Sequence, residues 1–381
     1  MARCVSCRIA LGVTLALVWV GSGPLPARAA DEGAVTARAP FEELTFNGFV
    51  STSWSYNANI PNSRSNQFRV FDFDDNSFKL DVVELVAQVP VARPRDAGFR
   101  VDLVLGGSIP RVSASAGLFR SDSGLAQDID VQQAFASWIV PVGAGLRLDA
   151  GKFITSMGYE VIEGYDGWND NATHSFLFGY AIPFTHVGVR ANYVFSPRVS
   201  ATAMIANGWD VARDNNRSKS VGAQLAITPV PPLQIWLNGM AGPERANVEV
   251  DSRAFVEAVA VCKASSRLTF TLDVFRGTEP HAALSAGDAT WTGFAGYTRI
   301  AIADGFALSL RGELFHDGDG ARTGVAQRLS ELTLSPELRL TKRALVRADL
   351  RLDRSNHAVF EKGSGLSDSQ QTTLLNVFFS F

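Results

Sequence analysis

Residues 343–354 read RALVRADLRLDR, and the order of apolar and charged letters in this stretch decides the fold. In an extended strand successive side chains point to opposite faces. Ala344, Val346, Ala348, Leu350 and Leu352 therefore share one face, and Arg343, Leu345, Arg347, Asp349, Arg351 and Asp353 share the other. A helix, with about 3.6 residues per turn, would mix the two sets around its circumference. The same period of two runs through RLTFTLDVFR (267–276), GFALSLRGEL (305–314) and ELTLSPELRL (331–340), although Pro336 interrupts the apolar face of the last.

From Leu44 to Phe381 about sixteen such segments follow one another, each about ten residues long and bounded by turn signals. Their connections alternate. SPR, TPVPP, ASS, ADG and TK are tight, whereas the stretches near 57–76, 108–130, 156–183, 278–289 and 355–370 are long and polar. That alternation predicts an all-β, antiparallel up-and-down barrel with tight turns at one rim and long loops at the other. An even strand count puts both ends of residues 44–381 at the tight rim and closes the sheet without a free edge. Strands of about ten residues rising about 3.3 Å each and tilted near 40° cover about 25 Å, the height of a transmembrane apolar band.

A soluble sandwich, β-helix or propeller would also alternate, but its charges would face outward and its signatures would repeat at a fixed period. No such repeat is present. In a membrane barrel a mid-bilayer charge on the lipid side costs several kcal/mol. The charged face must then point inward, where Arg311, Glu313, Glu331, Glu337, Arg339, Arg347, Asp349, Arg351 and Asp353 would form a wet wall with cross-strand ion pairs. Mixed signs predict weak selectivity, with a sugar- or anion-specific track as the sharper alternative. Two segments resist the pattern: FKLDVVELVAQV changes phase at Val82–Val83, which suits a bulge, and RAFVEAVAVCK leaves the face of Glu257 open.

The chain begins MARCVSCRIALGVTLALVWVGSGPLPARAA. Arg3 and Arg8 precede an apolar run from Ile9 to Val20, and Ala27-Arg28-Ala29 has the form of a cleavage site, so residues 1–30 read as a secretory signal. Residues 31–43 would be a short periplasmic lead-in. Removing the signal takes three arginines and no acid from a chain of net charge −3, leaving −3 − 3 = −6. An acidic mature chain argues against nucleic acid as a partner. Cys4 and Cys7 go with the signal, and Cys262 alone cannot form an intramolecular disulfide.

Three stretches carry a family resemblance: FNGFVSTSWSYNANIPN (46–62), the segment from DAGKFITSMGYE through VGVRANYVFSPR to NGWD (149–210), and the strand-like end. They resemble the OmpL-like outer membrane barrels called putative beta-barrel porin-2. The resemblance implies a pore-forming protein of the bacterial outer membrane, with no cofactor and no catalytic residues. The expected function is a water-filled channel for passive diffusion of small hydrophilic solutes, and the rival is a plugged barrel whose outer loops bind a partner or surface. By analogy with general porins the chain would be a homotrimer, in contact with outer membrane lipid and delivered by barrel assembly machinery. The closing LLNVFFSF puts Leu375, Val377, Phe379 and Phe381 on one face, toward lipid. Phe381, with Phe379 two residues before it, resembles the terminal signal that such machinery recognises.

The longest connection, SMGYEVIEGYDGWNDNATHSFLFGYAIP (156–183), holds aromatics and the acids Glu160, Glu163, Asp166 and Asp170. A loop this long in a compact fold is more often packed than dangling. Its place after the fifth strand is similar to that of the constriction loop of general porins. One reading folds it into the lumen, with Glu160, Glu163 and Asp166 facing Arg347 and Arg351 to set up a transverse field. The other leaves it on the surface with its acids solvated.

No metal or enzyme site stands out. DFDDNS lacks the glycine of a calcium loop and has Val83 where the twelfth-position glutamate belongs. His174, Ser175 and His186 are the candidates for nucleophilic chemistry, and His174 and Ser175, as neighbours on one strand, would point apart.

Overall fold

The computed structural model describes residues 43–381 except Ser115. The expected signal, 1–30, and the lead-in as far as residue 42 lie outside the described residues. Sixteen strands form one closed antiparallel barrel. They are β1 (Thr45–Asn57), β2 (Ser77–Val89), β3 (Ala97–Leu105), β4 (Ile129–Val140), β5 (Leu146–Ile154), β6 (Thr185–Ser196), β7 (Val199–Ala206) and β8 (Ser220–Val230). The circuit continues with β9 (Leu233–Pro243), β10 (Ser252–Lys263), β11 (Leu268–Glu279), β12 (Ala289–Ala303), β13 (Phe306–Asp317), β14 (Gln327–Arg339) and β15 (Ala344–Ser355). A small hairpin, β16 (Phe360–Lys362) and β17 (Gly365–Ser367), decorates the last long loop before β18 (Ser369–Ser380).

Each barrel strand pairs with its chain neighbours, and β18 pairs with β1, from Phe49 opposite Ser380 to Asn57 opposite Thr372. No helix among the described residues is long and apolar enough to cross a membrane, so the strands do the crossing. The turn between β8 and β9 is tighter than its TPVPP sequence suggests, because β8 runs on through Val230.

The outward face follows the period of two. Leu272, Val274, Leu310, Leu314, Leu332, Leu350, Leu375, Val377 and Phe379 are all exposed, alternating with buried residues along their strands. In a membrane these side chains meet lipid, so their exposure is no defect. The packed core instead lies inside the barrel, where Met157, Phe176, Phe178 and Ile182 of the 155–184 loop meet Phe255, Phe275, Trp291 and Phe315 of the wall. Arg322, from the loop after β13, sits over the rings of Trp209 and Trp291 at 4.9 and 5.2 Å and seals this core on the long-loop side.

Two details left open by the sequence now have answers. The phase change in β2 is a bulge at Asp81: Val82 pairs with Ser51 and Leu80 with Thr52, leaving Asp81 without a register partner. The bulge aims its carboxylate at Ser53 Oγ, 2.8 Å away. Glu257 points inward and is buried, accepting from Asn238 Nδ2 at 2.6 Å.

Candidate functional site: the lumen and its loop

The 155–184 loop joins β5 to β6 and lies within the barrel, held largely through its own backbone. An acceptor on the wall is the strongest partner a backbone N–H can find where water is excluded, and a carboxylate makes that bond charge-assisted. Gly158 N donates to Glu257 on β10 at 2.7 Å, and Tyr159 N to Asp273 on β11 at 3.4 Å. Tyr165 N donates to Glu84 on β2 at 2.9 Å. Ala172 N and Thr173 N converge on Asp349 of β15 at 3.2 and 2.7 Å. Phe176 N and Leu177 N, at the start of a single π-helical turn (Leu177–Ala181), both reach Glu313 on β13, at 2.7 and 2.5 Å.

The four loop acids each meet an arginine of the wall. Glu160 accepts from Arg311 at 2.8 Å and from the Tyr297 hydroxyl at 3.1 Å. Glu163 accepts from both terminal nitrogens of Arg347, at 2.7 and 3.0 Å. Asp166 meets Arg100 of β3 at 2.6 Å, and Asp170 meets Arg299 of β12 at 3.1 Å. The sequence alone pairs Glu160, Glu163 and Asp166 with Arg347 and Arg351. Arg347 does hold Glu163, but Arg351 donates to the His174 carbonyl and pairs with Asp353 at 2.7 Å.

Arg311, Glu313, Glu331, Glu337, Arg347, Asp349, Arg351 and Asp353 all point into the lumen, yet none is more than 5% exposed. The loop covers them. Arg339 differs, being partly open beside the Trp168 ring at 5.3 Å. Buried charges persist only when paired and hydrogen-bonded. Here Arg311 takes Glu160 and Glu331, while Arg69 of the first long loop bridges Asp72 and Asp353.

Loop contacts cover the arc of wall running from β10 through β18 to β3, with a further bond from Gln224 Nε2 of β8 to the Ser156 carbonyl. The covered arc keeps a void of about 50 Å³ beside Phe49, Ser53, Asp81 and Asn376, whereas the other arc, β3 to β9, is more open. A cavity of about 380 Å³ lies there, with Arg100, Arg147, Arg190, Gln133, Ser137 and Asp166 in its walls and Val89, Pro90 and Val91 of the β2–β3 turn at its tight-turn end. A second space of about 10 Å³ is bounded by Met157, Thr202, Met204 and Gln224 and shares Ile154 and Arg190 with the first. Arg147 Nε and Arg190 Nε bind the two oxygens of one buried carboxylate, Asp149, at 2.9 and 2.8 Å. Arg190 also lies over Phe135 and Phe153 at 5.3 and 4.6 Å.

The sequence reading did not select these arginines. The alternation of Arg147 and Asp149 in GLRLDA was the available signal, but nothing in one strand tells which arc the loop will leave open.

A family model described as putative beta-barrel porin-2, OmpL-like, matches residues 43–381. The chain belongs to that family. It is thus a channel protein of the bacterial outer membrane, a non-enzymatic porin through which small hydrophilic solutes diffuse. Solved structures agree on the fold. The anion-selective porin from Comamonas acidovorans has a TM-score of 0.59 at 13% identity, over 89% of this chain and 99% of that one. The in-vitro folded trimer form of OmpT from Vibrio cholerae has a TM-score of 0.57 at 12% identity, covering 89% and 99%. OprB from Pseudomonas putida has a TM-score of 0.56 at 11% identity, covering 90% and 95%. No curated protein matches the chain.

His174 and His186 of this porin serve packing. His186 is buried, with Nδ1 3.2 Å from the Gly208 carbonyl and Nε2 3.2 Å from Thr155 Oγ1. His174 stacks on Phe71 at 4.2 Å, and Ser175 Oγ accepts from Phe178 N at 3.0 Å. Where the loop rejoins β6, Asp210 accepts from Phe184 N and Thr185 N at 2.7 and 2.8 Å. Burial pushes the Asp210 carboxyl up to about 6, against the pull of those two donors.

Proposed function

We infer that solutes cross this porin along the β3–β9 arc, past Arg100, Arg147 and Arg190 on the wall and Asp166 on the loop. The observation that carries this reading is Arg190, which borders both open spaces on that arc. Asp149 and Asp102 lie buried behind the guanidiniums, and Asp166 is about half exposed in front of them. The result is a transverse field between loop and wall, with charges of both signs and hence mild selectivity. In this reading Glu160 and Glu163 are anchors. Arg311, Glu313, Arg347, Asp349 and Arg351 hold the loop, Glu331, Glu337 and Asp353 pair with Arg311, Arg299 and Arg351 behind it, Asp170 steadies it through Arg299, and Arg339 lines the open rim.

The test is ion selectivity in planar bilayers together with liposome swelling. Replacing Arg147 and Arg190 by Gln should shift the anion-to-cation permeability ratio several-fold toward cations while sugar uptake continues. An unchanged ratio would overturn the assignment of the path.

The assembled unit we propose is a homotrimer, on the analogy of the OmpT trimer form. Residues 1–30 direct export, and Phe379 and Phe381 present the end of β18 to assembly machinery in a lipid setting. Phe381 also closes the seam: its N donates to the Gly48 carbonyl at 2.9 Å, and Gly48 N returns a bond to its carbonyl at 3.1 Å. Deleting Phe381 should lower the amount of folded barrel in the membrane far more than the conductance of the channels that do form. Equal membrane levels of the two proteins would count against the role.

A further inference from the structure

The outward faces of β11 to β15 carry a charge asymmetry that channel function does not use. Outward positions are those alternating with buried ones, such as Leu272 and Val274, Phe294, Leu314, Leu332 and Leu350. Among the described residues of these five strands, the outward side chains that can carry charge are Arg276, His316, Arg328 and Arg354, and none is acidic. Every carboxylate of the five strands faces the lumen.

The four residues are exposed and lie at one end. Arg276 is opposite Thr292, Thr292 opposite His316, and His316 opposite Arg328, so one cross-strand row carries three of them; Arg354, paired with Ser330, stands beside it. Neighbouring strands are about 4.8 Å apart, so Arg276 and Arg328 are separated by roughly 15 Å. All four sit at the long-loop rim. The tight-turn ends of the same outward faces carry Phe270, Ile300, Ile302, Leu308, Leu338 and Ala344. None of the three guanidiniums has a hydrogen-bond or ion-pair partner among the described residues.

Directly below the row lie Val274, Phe294 and Leu314, all exposed. A guanidinium at the edge of an apolar belt sits at the depth of lipid head groups, where it can bind phosphate bidentately. A row several strands wide, with no acid on the outward faces of those strands, favours a head group with more than one negative charge. Small solutes in the lumen cannot reach it.

We propose that Arg276, Arg328 and Arg354, with His316 and Thr292 between them, form a binding site on the outer wall for an anionic, phosphate-bearing lipid of the outer leaflet. Its acyl chains lie against Val274, Phe294 and Leu314.

The experiment uses the detergent-purified full barrel and three probes: bis-phosphorylated lipid A, the same lipid with its phosphates removed, and inorganic phosphate. Native mass spectrometry and melting temperature read binding. The wild type should retain the phosphorylated lipid and melt higher with it, and show neither effect with the dephosphorylated lipid. Each arginine replaced by Gln should weaken binding about fivefold, and the triple variant roughly a hundredfold. Wild-type conductance in a neutral bilayer would show that the triple variant is folded. If it does not fold, the single variants R276Q and R354Q carry the test at the fivefold level. Equal binding of wild type and folded variants, or equal binding of the dephosphorylated lipid, would overturn the site. A response to inorganic phosphate matching that of the lipid would overturn its assignment to lipid.

Discussion

Arg311→Met should loosen the lumen loop and raise both the conductance and the current noise of the single channel. Arg311 has no exposed surface and serves five acceptors: Glu160 at 2.8 Å, Glu331 at 2.6 Å, the Thr173 carbonyl at 2.6 Å, Thr173 Oγ1 at 3.1 Å and Thr333 Oγ1 at 3.4 Å. Methionine keeps much of the volume but leaves the buried Glu160 without its cation and Glu331 with Arg351 alone, 3.6 Å away, a loss of about 3–5 kcal/mol. Moving the loop lets water reach Glu160, so the strain is relieved by opening the channel. Arg299→Met is the milder comparison, since Arg299 is itself partly exposed, its partner Asp170 is partly exposed, and its other partner, the buried Glu337, keeps Arg339 at 3.8 Å. Conductance and noise equal to wild type in Arg311→Met would show that the loop does not depend on this anchor.

Glu313→Ala should release the middle of the loop while leaving the barrel closed. Glu313 is the acceptor for two consecutive backbone donors, Phe176 N and Leu177 N, in a region without solvent access. Each buried N–H left unsatisfied costs about 1–3 kcal/mol, so the segment loses several kcal/mol of local stability. Glu313→Gln keeps one carbonyl oxygen and should fall between. Amide hydrogen exchange over 172–182 is the measurement, with faster exchange in the order Ala, Gln, wild type, and β11–β15 amides unchanged. Equal protection of the loop in all three proteins would refute the anchoring role.

Strand count, inside and outside were legible because a closed barrel in lipid leaves few choices. A period of two, with charges confined to one face, fixes the inward side of RALVRADLRLDR before any neighbour is known. Partner choice was not legible. Glu160 meets Arg311 and Asp166 meets Arg100 only because the loop follows the curvature of the wall, and curvature is a property of sixteen strands together. The same holds for Arg147 and Arg190, whose importance depends on where the loop does not go. Glu257 stayed ambiguous because Ala254, Ala258 and Ala260 around it are small enough for either face. At Asp81 the phase slipped by one residue, a local event that alternation can mark but not place to the atom.

The hold on the loop through main-chain N–H groups has a consequence for how such a channel can change over generations. Glu84, Glu257, Asp273, Glu313 and Asp349 grip atoms that every residue except proline possesses. Replacing Asp166 or Trp168, or most letters between the grip points, leaves the clamps intact. The lineage can therefore rewrite the lettering of its filter one residue at a time, to suit new diets, without first losing the shape that carries it. The clamp positions on the wall have no such freedom, so variation in this porin should collect on the loop while the five acids stay fixed.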